Sequence, residues 1–212
     1  MAYFPMFVDL TGKKCIVAGG GMVAARKVKV LLEFGVEIYV AAPEVCGELK
    51  NLERQWSEKS LDCENTVHRR MLVVENKRFE DTDLDGMDMV IAATDDKDLN
   101  HRIAVMAAAR GMQVDSATDK NDCTFLFPAV IKRGETVVGI SSSGGSPALT
   151  AQLKRQIEAD IPEDLEEKAE YLERIREKVK ENVESPEERR RLMRAVTARI
   201  LNREDGQEKE DI

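Results

Sequence analysis

The sequence predicts an α/β fold: a Rossmann-type parallel sheet, followed by a hairpin and a helical C-terminal region. Three observations predict it. Strand and helix signals alternate through residue 112. A glycine run, Gly19-Gly20-Gly21, joins the first short apolar strand to the first helix. Beyond residue 112 the alternation stops, and two adjacent strand-like runs give way to charged helices. Strands separated by helices imply parallel βαβ crossovers and a doubly wound sheet.

The elements follow in order. Lys14 to Ala18 is a short β-branched strand, and the helix after the glycines runs to Phe34, with Gly35 as its stop. Val36 to Ala42 is the second strand, and Cys46 to Asn65 reads as helix and loop. Met71 to Val74 and Met87 to Ala93 are the third and fourth strands. Leu99 to Arg110 is a helix closed by Gly111, and Met112 to Asp115 is the fifth strand. Thr124 to Ile131 and Thr136 to Ser141 read as a hairpin around Arg133-Gly134. Helices are expected over Ala148–Ile157, Glu163–Val183 and Pro186–Leu201, the last two with apolar residues at helical spacing. The stretch 202–212 reads as a frayed end.

Composition narrows the function. The 212 residues carry a formal charge of −8, against the basic face a duplex nucleic-acid binder needs. No run of 18 apolar residues is present, so no membrane span is expected. Residues 1–10 lack the basic start and long apolar core of a signal peptide and read as a lead-in packed on the sheet. Cys15, Cys46, Cys63 and Cys123 are scattered, a reduced-thiol pattern that places the chain in the cytoplasm. His68 and His101 are too few for a histidine-rich metal centre, and His101 reads as a surface residue.

The chemistry gathers at the carboxyl ends of the strands, where such sheets bind ligands. Gly19, Gly21 and Ala24 fit G-x-G-x-x-A. This turn presents helix N–H groups and a positive dipole end to a pyrophosphate, and glycine lets the backbone approach it. The second strand ends Ala42-Pro43-Glu44, without an acid at its tip and without an arginine for a 2′-phosphate, which favours NAD over NADP. Thr94 is placed for contact at the cofactor edge, with Asp95 or Asp96 capping the next helix. Asp115 to Asp122 is rich in polar groups, suited to acid–base work or to an ordinary turn. Ser141 to Pro147 leads into a helix N-terminus, a second anion site or a flexible connection.

These segments together resemble the siroheme synthase N-terminal domain, or precorrin-2 dehydrogenase, family. The matching stretches are Phe4–Phe7, Val17–Lys27, Ala42–Glu44, Ile91–Asp96 with Asn100, Phe125–Ala129 and Ile140–Leu149. The resemblance covers nearly the whole chain, and with no methyltransferase domain following, the expectation is the stand-alone form. It implies a Rossmann domain over 1–112, a small α+β dimerisation domain over 113–147 and a helical domain over 148–212. It implies NAD-dependent oxidation of precorrin-2 to sirohydrochlorin, on the route to sirohaem, by an intertwined homodimer acting on a tetrapyrrole substrate. Some members of the family also insert ferrous iron.

By position, the resemblance puts cofactor contact at Met22 and Val23 after the glycines and at Pro43 and Glu44, and a substrate-side serine at Ser142. The family's key aspartate, seven residues before Phe125, falls on Thr118. Asp119 or Asp115 is left to take that role, or the chain manages without it, which bears most on chelatase activity. Arg26, Lys27, Lys29, Lys120, Lys132 and Arg133 are candidates to meet a polycarboxylate. A nucleotide-sensing regulatory module is the non-enzymatic alternative. It shares the glycine turn and the Ala-Thr-Asp-Asp strand end but lacks the Phe-Pro-Ala and Ser-Gly-Gly-Ser-Pro segments.

Overall fold

The computed structural model describes residues 3–59 and 71–201. Cys63, His68, the end of the Cys46–Asn65 helix-and-loop reading and the expected frayed tail at 202–212 lie outside the described residues. The elements are β1 Lys14–Ala18, α1 Met22–Leu32, β2 Glu37–Ala41, α2 Gly47–Lys59, β3 Leu72–Glu75, β4 Met89–Ala92, α3 Lys97–Ala109 and β5 Gln113–Ser116. Then come β6 Ala129–Arg133, β7 Thr136–Ile140, α4 Pro147–Asp160, α5 Leu165–Asn182 and α6 Pro186–Leu201. No described helix is long and apolar enough to cross a membrane.

Five strands form one parallel sheet in the order β3-β2-β1-β4-β5. The order of strand addition reverses between β1 and β4, so the crevice between their carboxyl ends is the switch point where such sheets bind ligands. Helices cover both faces, and the inner strands therefore lack the alternation of a one-sided sheet. Every residue of β4 is buried, as are four of the five in β1. One face packs Cys15, Val17, Ile38, Val40 and Ile91 against Ala24, Val28 and Leu31 of α1. The other packs Ile16, Val90 and Val114 against Ile103, Ala104 and Ala107 of α3. Each fully buried Val, Leu or Ile here contributes about 1.5–3 kcal/mol.

Two expectations are corrected. Residues 3–8 do not pack on the sheet: Phe4, Met6, Phe7 and Val8 are exposed, and the lead-in meets the core through Leu10. The hairpin's first strand starts at Ala129, not Thr124. Thr124 instead binds back to β5, its N–H donating to the Val114 carbonyl at 2.9 Å while its hydroxyl accepts from the Val114 N–H at 2.7 Å. Phe125 and Phe127 then turn into the α1-side core, and Pro128 has no N–H for a ladder.

The chain divides into two compact units, residues 1–128 with 141–146, and residues 129–140 with 147–212. In the second unit β6 and β7 pair antiparallel, from Ala129 opposite Ile140 to Arg133 opposite Thr136. The hairpin turns at Gly134, at φ +55°, where a Cβ would lie 2.6 Å from the Glu166 side chain. α5 and α6 pack through their apolar stripes.

Candidate functional site

Three glycines make the β1–α1 turn, for three different reasons. Gly19 adopts φ +118°, and a Cβ there would lie 2.2 Å from the Ala93 carbonyl oxygen. The turn therefore lies directly on the end of β4, across the switch point. Gly20 has ordinary φ but no room: a Cβ would lie 2.1 Å from the Glu44 carbonyl oxygen and 2.9 Å from the Ala42 Cβ. The Cys46 N–H donates to the Gly20 carbonyl at 2.9 Å, tying this turn to the loop after β2. A Cβ on Gly21 would meet nothing within 4 Å.

Gly21 is the N-cap of α1 and offers no side-chain acceptor, and no acidic residue stands in the first turn. The first N–H groups of α1 thus face open space with the positive end of the helix dipole behind them. Met22 and Val23 flank them, 52% and 47% exposed, while Ala24 is fully buried against the sheet. A pyrophosphate fits this chemistry: uncapped donors, no competing carboxylate and an unobstructed approach. Pro43 and Glu44 are exposed beside the turn.

The β4 tip is braced from within. Asn100, fully buried on α3, accepts from the Thr94 N–H at 3.0 Å and from its hydroxyl at 2.7 Å. The Asn100 amide donates back to the Thr94 carbonyl at 2.9 Å. Asp96 is the N-cap, accepting from the N–H groups of Asp98 and Leu99, each at 3.0 Å. Thr94 therefore sits at a rigid corner, half-buried, at the edge shared with Gly19.

The two candidate carboxylates are placed differently. Asp115 lies inside β5, not in a turn, and is 4% exposed. It forms a salt bridge with Lys27 of α1, whose ammonium also lies 5.0 Å from the centre of the Phe127 ring. Burial first, and the Asp115 charge second, push the Cys15 thiol well above its ordinary range. Asp119 is exposed and accepts from the Asn121 N–H at 2.8 Å, capping the short turn Lys120–Asp122. Thr118 is exposed, its hydroxyl 3.1 Å from that of Ser116. Burial above all raises the Cys123 thiol.

Ser142 is half-buried and its hydroxyl closes a ring within its own loop. It accepts from the Ser146 N–H and donates to the Ser146 carbonyl, both at 3.1 Å. Ser143 adopts φ +56° and Gly144 +76°, so the loop is a compact turn. His101 of α3 lies with Nδ1 2.8 Å from an Asp122 carboxylate oxygen. A separate cavity of about 200 Å³ opens on the α3 side of the sheet, lined by Ile16, Tyr39, Ala41, Lys77 and Met87. Lys77 is ion-paired there with Asp83 and Glu75, and the cavity lies on the face away from α1.

The glycine turn, the β2 tip and Thr94 are thus brought to one edge, as their spacing predicts. Four features went unrecognised from sequence. Gly20 lies outside the G-x-G-x-x-A pattern, Asn100 braces Thr94, Lys27 neutralises Asp115, and Asp122 holds His101. Gly20, the middle of three consecutive glycines, and Asn100, part of the matching stretch after Asp96, had a sequence signal; the two charge pairs had none.

Comparison with known proteins adds the following. A family model described as "Putative NAD(P)-binding" matches residues 6–129. The siroheme synthase of Nitrosomonas eutropha is 36% identical over 154 residues, 73% of this chain and 30% of that protein. That of Photorhabdus laumondii is 36% identical over 160 residues, 74% of this chain and 30% of the relative. The chain spans about three tenths of the length of these curated relatives. A solved structure of SirC, precorrin-2 dehydrogenase, superposes with a TM-score of 0.67 at 25% identity, covering 92% of this chain and 89% of that one.

Proposed function

The chain belongs to the siroheme synthase N-terminal, or precorrin-2 dehydrogenase, family of NAD(P)-binding proteins, and on that premise we propose that it oxidises precorrin-2 to sirohydrochlorin with NAD as acceptor. The observation that supports this most is the open, uncapped N-terminus of α1, set directly against the end of β4. When bound, the nicotinamide supplies the two-electron acceptor. The chain's own residues do the positioning. Gly19, Gly21, Met22 and Val23 hold the pyrophosphate, Pro43 and Glu44 face the adenosine ribose, and Thr94, fixed by Asn100, borders the reacting half. The absence of an arginine beside Glu44 favours NAD over NADP.

Of the two carboxylates, Asp119 is the one open to a substrate, since Asp115 is buried against Lys27. Ser142 belongs to the substrate side. The working form is a cytoplasmic homodimer, with 1–112 binding the cofactor, 113–147 mediating dimerisation and 148–212 forming the helical domain. A two-stranded ladder such as β6–β7 is marginal alone, which supports a partner there.

The test is to incubate the pure protein with precorrin-2 and either NAD or NADP. NADH and sirohydrochlorin should form together, faster with NAD. No absorbance change at saturating dinucleotide ends the proposal. Asp119→Ala should slow turnover with NAD affinity kept, whereas Asp115→Ala should act mainly on stability.

A further inference from the structure

We propose that His101, held by Asp122, accepts the proton released in the dehydrogenation, an assignment that rests on the reading above. Removing two hydrogens from the substrate breaks one C–H bond whose hydrogen leaves with both electrons to the oxidised nicotinamide. A second hydrogen leaves as a proton, its bonding electrons staying in the macrocycle. That proton needs an acceptor at the same sheet edge. In the segment after β5, the Thr118 hydroxyl is no base near neutrality. Asp115 is paired with Lys27, and the Asp119 carboxylate, open to the substrate, is held by the Asn121 N–H as the cap of the Lys120–Asp122 turn, which suits it to orienting substrate.

The His101–Asp122 pair has the form of a working base. The Asp122 side chain is 12% exposed and the His101 side chain 64%. A carboxylate can only accept, so Nδ1 donates to Asp122 and Nε2 carries the lone pair. Nε2 can therefore take the proton, leaving an imidazolium beside a carboxylate, and then pass it to water. His101 follows Asn100 directly on α3, so the element that fixes the Thr94 corner also sets the ring. The charged residues beside it in sequence on α3 are Lys97, Asp98 and Arg102, the last paired with Asp81, and those at the turn that holds it are Asp119, Lys120 and Asp122. Asp115 of β5 lies on the opposite sheet face, against α1.

The full-length protein is tested as His101→Gln, His101→Ala and Asp122→Asn, with precorrin-2 and NAD across pH 5 to 9. His101→Gln should lower kcat about 100-fold, with NAD affinity unchanged. It should also remove the fall in rate on the acid side. Added imidazole should restore part of the His101→Ala rate. Asp122→Asn should lower kcat as well, because the ring loses the acceptor that holds its Nδ1–H. Independently of turnover, the ¹⁵N spectrum of the wild-type imidazole should show the Nδ1–H tautomer, and Asp122→Asn should shift it toward Nε2–H. With two histidines in the chain, assignment needs one variant. A wild type that turns over while His101→Gln keeps kcat within two-fold at every pH overturns this assignment alone. A wild type that forms no NADH overturns both readings.

Discussion

In the first unit the inner strands β1 and β4 are buried on both faces, and α1 and α3 seal them with alanine, valine, leucine and isoleucine packed to almost no exposure. In the second unit Ile131 and Ile200 are the buried hydrophobics among the described residues, and the α5 stripe of Leu165, Leu172, Ile175 and Val179 is only half-covered. The first unit has the burial that lets a domain of its size hold a defined edge. The second keeps surplus apolar surface on thin layers, the condition in which a fold depends on further contact. A site that needs atoms fixed to a fraction of an ångström is therefore best built on the first.

Substitutions can break or sharpen that contrast. The largest effect is expected at Gly19→Ala. Its Cβ would meet the Ala93 carbonyl, and φ +118° is strained for any side chain, so a loss of about 4 kcal/mol follows. Urea unfolding reads it, and an unchanged midpoint would show that the turn does not lie on β4. Gly21→Ala is the control: with open space around it, stability should hold while the nicotinamide dinucleotide binds roughly ten-fold more weakly.

Next is Lys27→Met, which strands a buried Asp115 and should cost about 3 kcal/mol. The double variant Lys27→Met with Asp115→Leu should recover most of that loss. If the two single losses simply add, the pair is not coupled. Asn100→Ala comes third, about 2 kcal/mol, because the Thr94 N–H loses its buried acceptor. Leu172→Ala in the second unit should cost about 1 kcal/mol, since its side chain is only half-covered. A loss as large as a core Leu→Ala would erase the contrast.

The smallest effect concerns acid. The Lys14 N–H, and then Lys13, hold the Asp88 carboxyl below its ordinary range. A depressed carboxylate contributes stability above its unfolded pKa, about 3.9, and that contribution is lost as pH falls through the lower folded value. Asp88→Asn should flatten that part of the melting-temperature profile between pH 5 and 2.

The parallel sheet was legible because periodicity and glycine stops are local signals. Gly19, Gly21 and the strand tips could be placed at one edge from chain order alone. What escaped was long-range. Lys27 and Asp115 are 88 residues apart, and nothing near either position announces the other. Asn100 looked like a helix residue because its partners are backbone atoms six positions earlier. The run from Thr124 read as strand because its aromatic composition fits one equally well. Its fate was decided by a core the local sequence does not contain.

Gly20 has a consequence for altering cofactor choice. Its close approach is to backbone, the Glu44 carbonyl, and the Cys46 N–H returns the contact. The glycine turn and the loop after β2 are thus one clamped body. The side chain at position 44 can be exchanged freely, for an aspartate or an arginine. A single inserted residue between Ala42 and Cys46 would drag the glycine turn with it. On the proposed cofactor placement, selectivity should yield to a change of spelling but not of spacing.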